Sequence, residues 1–146
     1  MQASINLRCP SCGTLNRVPA DRAGDAGRCG QCHAALPRAG GSPVDVTDAD
    51  FGRTVEGSAL PVMVEFWSPS CGHCLRMDPV LKDLARELSG RAVVAKLDIT
   101  KNPASAMRYE IRGTPAFVVV KGGREAGRFV GAMPREDLLN RLRPYI

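Results

Sequence analysis

No stretch of this chain approaches the ~18 consecutive apolar residues that a membrane-spanning helix needs. The N-terminus also reaches Arg8 and Cys9 without the continuous apolar run of a secretory leader. The expectation is a soluble, cytoplasmic protein with no membrane partner. Blocks of like charge are missing as well: the net charge of +5 is spread along the chain and no Lys/Arg arm stands out. Arg8, Arg17, Arg22 and Arg28 are the nearest thing to a nucleic-acid surface, but they are scattered and no aromatic platform accompanies them, so no nucleic-acid partner is expected. Large apolar residues are scarce before residue 37, with little beyond Ile5, Leu7, Leu15, Val18 and Leu36. A segment so poor in core material does not hold a fold without a metal or cross-links.

What the sequence does have is six cysteines arranged as three Cys-x-x-Cys pairs. In a reducing compartment that pattern fits metal and redox chemistry better than a disulfide scaffold. Cys9/Cys12 and Cys29/Cys32 are separated by 16 residues, the spacing of a zinc ribbon. Four thiolates complete the closed tetrahedron of one structural Zn2+, and each pair can turn as a tight knuckle with Gly13 and Gly30 tolerating the turn. Four thiolates and a dication would lower the net charge by 2, to about +3. The rival arrangement is a pair of disulfides. His33 is expected outside the metal's shell, since four sulfurs already fill it.

The third pair lies elsewhere, in Val62-Met63-Val64-Glu65-Phe66-Trp67-Ser68-Pro69-Ser70-Cys71-Gly72-His73-Cys74. An apolar, β-branched run breaks at Ser68-Pro69, and the two cysteines then open a helical pattern carried by Met77, Val80, Leu81, Leu84 and Leu88. Unpaired backbone N–H groups at a helix start stabilise a thiolate, so Cys71 is expected to be the exposed nucleophile and Cys74, one turn further in, the shielded partner able to close a disulfide with it. Taken alone, Cys-x-x-Cys also fits half a metal site or two incidental thiols; the strand before it and the helix after it favour the redox reading.

The rest of the chain supplies that context. A turn-rich segment at 37–43 reads as a linker between a small unit at 1–36 and a globular one at 44–146. At 146 residues and 44% hydrophobic, the chain can bury one ordinary core and carry a small appendage. From Val44 the patterns give β-α-β-α-β-α-β-β-α, with Thr47 or Asp48 as cap of the first helix and Gly57 as its stop, Asn102-Pro103 opening a short helix, and Gly122-Gly123 turning a hairpin. A mixed sheet with helices on both faces follows.

With Phe66-Trp67-x-x-x-Cys71-Gly72-x-Cys74, a proline at 79 inside the helix, Gly113-Thr114-Pro115 and Val130-Gly131-Ala132 in this order, residues 44–146 resemble the thioredoxin family. The two earlier pairs make the whole chain similar to its zinc-ribbon-bearing bacterial members. The resemblance implies an α/β thioredoxin fold with a small N-terminal zinc ribbon, and a monomeric protein-disulfide oxidoreductase. Cys71 is then the attacking thiol and Cys74 the resolving thiol, closing the redox-active disulfide. Pro115 would be cis and packed against the dithiol, and Trp67, Thr114, Val130 and Gly131 would line the substrate groove. Disulfide-containing proteins would be the substrates and an NADPH-dependent thioredoxin reductase the electron donor. The alternative is a redox-sensing zinc protein or adaptor that uses the same domain for partner binding.

Two departures from the family pattern matter. Glu65 stands where the family usually has an aspartate beneath the resolving cysteine, and a carboxylate in an apolar strand should have a raised pKa that lets it accept the Cys74 proton. Lys96 matches a family lysine expected to moderate that shift, or to form a structural pair with Glu65. Between the cysteines, Gly72-His73 replaces the usual Gly-Pro, with Ser70 in place of tryptophan before them. His73 is expected to favour the Cys71 thiolate and make the disulfide a better oxidant.

Overall fold

The computed structural model describes residues 4–19, 22, 27–36 and 41–146. Two antiparallel hairpins come first: β1 (Ser4–Arg8) with β2 (Leu15–Pro19), and β3 (Gly27–Arg28) with β4 (Ala35–Leu36). Each turns through one Cys-x-x-Cys in the same way. Cys9 N–H donates to the Thr14 carbonyl and Cys29 N–H to that of Ala34, at 2.8 and 2.9 Å. Gly13 and His33 N–H groups reach back to Cys9 and Cys29, each at 3.0 Å. The arginine preceding each pair braces the turn, Arg8 on the Gly13 carbonyl and Arg28 on that of His33. The left-handed residue is Gly13 (φ +78°) in the first knuckle but His33 (φ +65°) in the second. Gly30 lies in the second turn as expected but without a left-handed φ, because the left-handed position follows the second cysteine and Gly30 precedes it.

From Val44 the order is β5 (Val44–Asp45), a π-helical segment (Gly52–Glu56), β6 (Val62–Trp67), α1 (Gly72–Glu87), β7 (Val93–Asp98), α2 (Pro103–Arg108), β8 (Ala116–Lys121), β9 (Arg124–Val130) and α3 (Arg135–Leu142), closed by a 3-10 turn at Arg143–Tyr145. One sheet holds the strands in the order β5-β7-β6-β8-β9, parallel for β5, β7 and β6 and antiparallel for the rest. This is the expected mixed sheet, and none of the helices among the described residues is long and apolar enough to cross a membrane.

Alternation along the strands fills a core on each face. Val62, Val64 and Phe66 point to a layer closed by Phe51, Val55, Ala106 and Tyr109. Met63, Val94, Phe117 and Val119 point to the layer of Met77, Leu81, Leu84, Leu138 and Leu142 from α1 and α3. By the same period of two, Glu65 faces the α1 side.

The caps depart from expectation. Asp48 does not cap the segment that follows it; its carboxylate accepts from the N–H groups of Ala104 (3.1 Å) and Ser105 (2.8 Å) at the start of α2. Asn102, expected to do this, makes no such bond with its side chain. Instead its Oδ1 accepts from Asp48 N–H and its Nδ2 donates to the Asp98 carbonyl. Asp48 has thus taken over the capping of α2, and Asn102, 54 positions away, accepts the Asp48 N–H in return. Asp50 accepts the Thr47 N–H and the Gly57 N–H closes an i→i+5 bond on Gly52, which winds the first helix as π.

The first hairpin lies along that π segment. Ser4 accepts from Ala59 N–H, Asn6 Nδ2 donates to the Arg53 carbonyl and Arg8 pairs with Asp50, so β1 runs antiparallel to 50–59. Ile5 and Leu7 pack with Val18 and with Leu60 of the larger unit. Of the expected linker at 37–43, residues 37–40 lie outside the described residues.

Candidate active site and metal centre

At the end of β6 the chain makes a tight turn, with Cys71 N–H donating to the Ser68 carbonyl at 3.1 Å. Pro69 cannot extend the ladder, and Cys71 becomes the extended N-cap of α1. Its sulfur accepts the Cys74 N–H at 3.2 Å. Cys74 is buried at 1% exposure, as expected of the shielded partner, whereas Cys71 is half-buried rather than exposed.

Their acidities diverge accordingly. Burial works against the Cys71 thiolate, but hydrogen bonds from the Cys74 thiol, the Thr114 hydroxyl and the backbone of Cys74 and His73 outweigh it and hold the thiol below its ordinary range. Burial, then the neighbouring Cys71, pushes Cys74 up to about 11. One thiol is thus made more acidic than an ordinary thiol and its partner less so. The Thr114 hydroxyl and the Ser68 backbone, which also favours the Cys74 thiolate, are contributors that sequence reasoning missed. They approach from the turn and from a loop 40 residues downstream, and no local pattern marks either.

Glu65 is fully buried and neither carboxylate oxygen has a hydrogen-bond partner. Burial raises its pKa to about 7, with Lys96 opposing and Asp78 adding to the rise. Lys96 and Glu65 are register partners on β7 and β6, yet they do not pair. Lys96 Nζ is bonded to Asp78 on α1 at 2.6 Å and lies 4.7 Å from the Trp67 ring centroid. The expectation of a Glu65–Lys96 structural pair is corrected: the lysine head follows the exposed carboxylate of α1, since reaching a buried one would desolvate both charges.

The residues expected to line a substrate groove come from three segments. The Thr114–Pro115 bond is cis and Pro115 is buried, while Thr114 and Trp67 are half-buried. Trp67 Nε1 is buried without a partner. Val130 is 67% exposed and opposite Ala116 across β8 and β9, and Gly131 (φ +96°) donates its N–H to the Pro115 carbonyl at 2.9 Å. That bond ties the Val130-Gly131 loop to the cis-proline loop. Gly72 and His73 are exposed on the first turn of α1, and the Ser70 hydroxyl lies 3.2 Å from that of Ser68.

At the other centre, Cys9, Cys12, Cys29 and Cys32 bring four sulfurs within 4.8 Å of one another. Cys9 to Cys32 and Cys12 to Cys29 are each 3.6 Å apart. A tetrahedron with metal–sulfur bonds of about 2.3 Å has edges of about 3.8 Å, so the donor set fits a Zn2+. Both of these contacts run between the two knuckles. The sulfurs are too far apart for the alternative of paired disulfides, whose bond is about 2.05 Å. His33 is exposed and serves the turn.

Residues 42–144 match the thioredoxin family, and residues 8–34 match the zinc-ribbon family described as the N-terminal part of Thioredoxin 2. A thioredoxin of Synechocystis is 39% identical over 101 residues, covering 69% of this chain and 94% of its own. Thioredoxin 2 of Chlorobaculum tepidum is 34% identical over 106 residues (73% and 97%). A Staphylococcus aureus thioredoxin is 41% identical over 95 residues (65% and 89%). A dithiol with one acidic and one suppressed sulfur beside a cis-proline loop suits thiol-disulfide oxidoreduction, and on the match of sequence and fold this chain belongs to the thioredoxin family of such enzymes.

Proposed function

We propose that the chain reduces or exchanges protein disulfides through its Cys-Gly-His-Cys dithiol, with 1–36 as a zinc ribbon and 44–146 as the catalytic domain. The observation that carries this reading is the opposite displacement of the two thiols, Cys71 down and Cys74 up, at a helix start.

The Cys71 thiolate attacks one sulfur of a substrate disulfide; that S–S bond breaks, the other substrate sulfur leaves as a thiolate, and a mixed disulfide forms. Cys74 then loses its proton and attacks Cys71 Sγ, releasing the second substrate sulfur. Two electrons pass to the substrate and the Cys71–Cys74 disulfide remains. Glu65 is the base for Cys74: a carboxyl with a pKa of about 7 is half ionised near neutrality, when proton transfer in either direction is easiest. Neither of its oxygens bonds a protein atom, so no partner competes for the proton.

Trp67, Thr114, Pro115, Val130 and Gly131 receive an extended substrate segment, and Gly72, His73 and Lys96 tune the couple. Disulfide-bearing proteins are the substrates, an NADPH-dependent thioredoxin reductase returns the electrons, and the cytoplasm is the working compartment of a monomer. Cys9, Cys12, Cys29 and Cys32 hold one Zn2+, which does no redox chemistry of its own and supplies folding energy to a segment with little core.

Insulin reduction with dithiothreitol as electron source, run with and without a chelator, tests this. Turnover that is lost in Cys71→Ser and kept after chelation is the expected result. No turnover by the parent chain with any reductant would overturn it in favour of an adaptor.

A further inference from the structure

The two knuckles are near copies. Arg8-Cys9-x-x-Cys12-Gly13-Thr14-Leu15-Asn16 superposes in pattern on Arg28-Cys29-x-x-Cys32-His33-Ala34-Ala35-Leu36, with the same bracing arginine and the same two turn bonds. Among the positions at which the copies differ is the last, where the first has Asn16 and the second a buried leucine.

That difference carries the link between the hairpins. They form separate two-stranded sheets, and among the described residues the sulfurs and the Asn16 side chain bridge them. Asn16 Oδ1 accepts the Gly30 N–H at 2.9 Å. Its Nδ2 donates to the Thr14 carbonyl at 3.1 Å in its own knuckle and to Cys29 Sγ at 3.5 Å in the other. The partners fix the amide's orientation, since the reverse would set NH2 against N–H and oxygen against carbonyl. Cys29 Sγ also receives the Gln31 N–H at 3.4 Å, so the one ligand sulfur that Asn16 touches is multiply donated to.

We propose that Asn16 is the positioning residue of the metal centre: it docks the second knuckle on the first and donates to the Cys29 thiolate. This rests on the zinc reading above. The bond to Gly30 fixes the register of the two knuckles in the folded ribbon, and it forms together with the metal site. A donor on a ligand sulfur disperses its charge and fixes its direction.

The test uses the full chain. Zinc affinity is measured by competition with a chromophoric chelator for the parent, Asn16→Leu and Asn16→Asp, together with the 113Cd resonance of each loaded with Cd2+. Asn16→Asp keeps the acceptor for Gly30 and replaces the donor to Cys29, so it separates register from donation. Both variants should bind zinc more weakly by roughly 10- to 100-fold, and the 113Cd resonance of saturated Asn16→Asp should move from that of the parent. Affinities of both variants within about twofold of the parent would overturn the proposal, twofold being under about 0.5 kcal/mol. Weaker binding with an unmoved resonance in Asn16→Asp would overturn the donation to Cys29. A parent chain that binds no zinc would instead overturn the metal reading itself.

Discussion

Lys96 gives its ammonium to Asp78, 2.6 Å away on α1, and leaves Glu65, its partner in register on the next strand, without a hydrogen bond. The charge nearest Glu65 is thereby half spent on another carboxylate that itself opposes Glu65 ionisation. An isolated buried carboxyl beside a lysine would be drawn down; here burial dominates and the group rests near neutrality. Burial is therefore what holds Glu65 near neutrality, and Asp78 on the lysine adds to the rise.

Glu65→Gln is expected to stabilise the protein at neutral and higher pH. The folded carboxyl holds its proton up to about pH 7 while the unfolded one loses it near 4.5. Between those values the unfolded state binds fewer protons, so stability falls as pH rises and stays low above the upper one. The penalty that Gln removes is about 3 kcal/mol above neutrality and vanishes in acid. Urea unfolding in acid and in mild alkali measures it. The same variant should slow resolution of a trapped mixed disulfide, and a resolution rate equal to the parent's from about pH 6 to about pH 9 would remove Glu65 from the reaction.

Cys71 should alkylate at neutral pH faster than an ordinary thiol and Cys74 should not, because hydrogen bonds favour the first thiolate and burial suppresses the second. Thr114→Val removes one donor to Cys71 and is expected to shift the alkylation profile toward alkali. Iodoacetamide rates across a pH series, with peptide mapping, check both; equal rates for the two cysteines would contradict the arrangement.

His73→Pro should make the couple more reducing. The parent is expected between about −270 mV, the thioredoxin reference, and about −180 mV, that of protein disulfide isomerases, a span worth about 4 kcal/mol for two electrons. Equilibration with glutathione measures the potential. A parent value at or below the thioredoxin reference would show that His73 does not tune the dithiol.

Chelation is expected to unfold the ribbon and spare the five-stranded sheet. Apart from cysteine, the described part of the ribbon buries only Ile5, Leu7 and Leu36, whereas the sheet has a filled layer on each face. Two-dimensional amide NMR with and without chelator should show dispersion lost for 4–36 and retained for 44–146.

Asp48→Ala removes the acceptor for two N–H groups at the start of α2 and should cost about 1 kcal/mol. Its pH dependence is opposite in sign to that of Glu65. The bonds from Ser105 and Ala104 outweigh burial and depress the Asp48 pKa, so its contribution is present above the ordinary carboxylate range and lost as acid protonates it in the fold. The difference between parent and variant should accordingly shrink below about pH 4.

The sequence by itself determined the architecture and the chemistry-bearing atoms. Periodicity and turn residues gave the order from Val44 to α3, Cys-x-x-Cys spacing separated a metal centre from a dithiol, and a strand, a break and a helix placed Cys71 at an N-terminus. These are local properties, written in neighbours up to a few turns apart. Only the tertiary structure decided which groups meet across the fold: Asp48 with α2 in place of Asn102, Lys96 with Asp78 in place of Glu65, Thr114 on the dithiol, Asn16 on Cys29, and β1 laid along 50–59. Hydrogen-bond donors and charges are interchangeable in sequence, and the partner each one takes depends on distance and desolvation once strands and helices are packed.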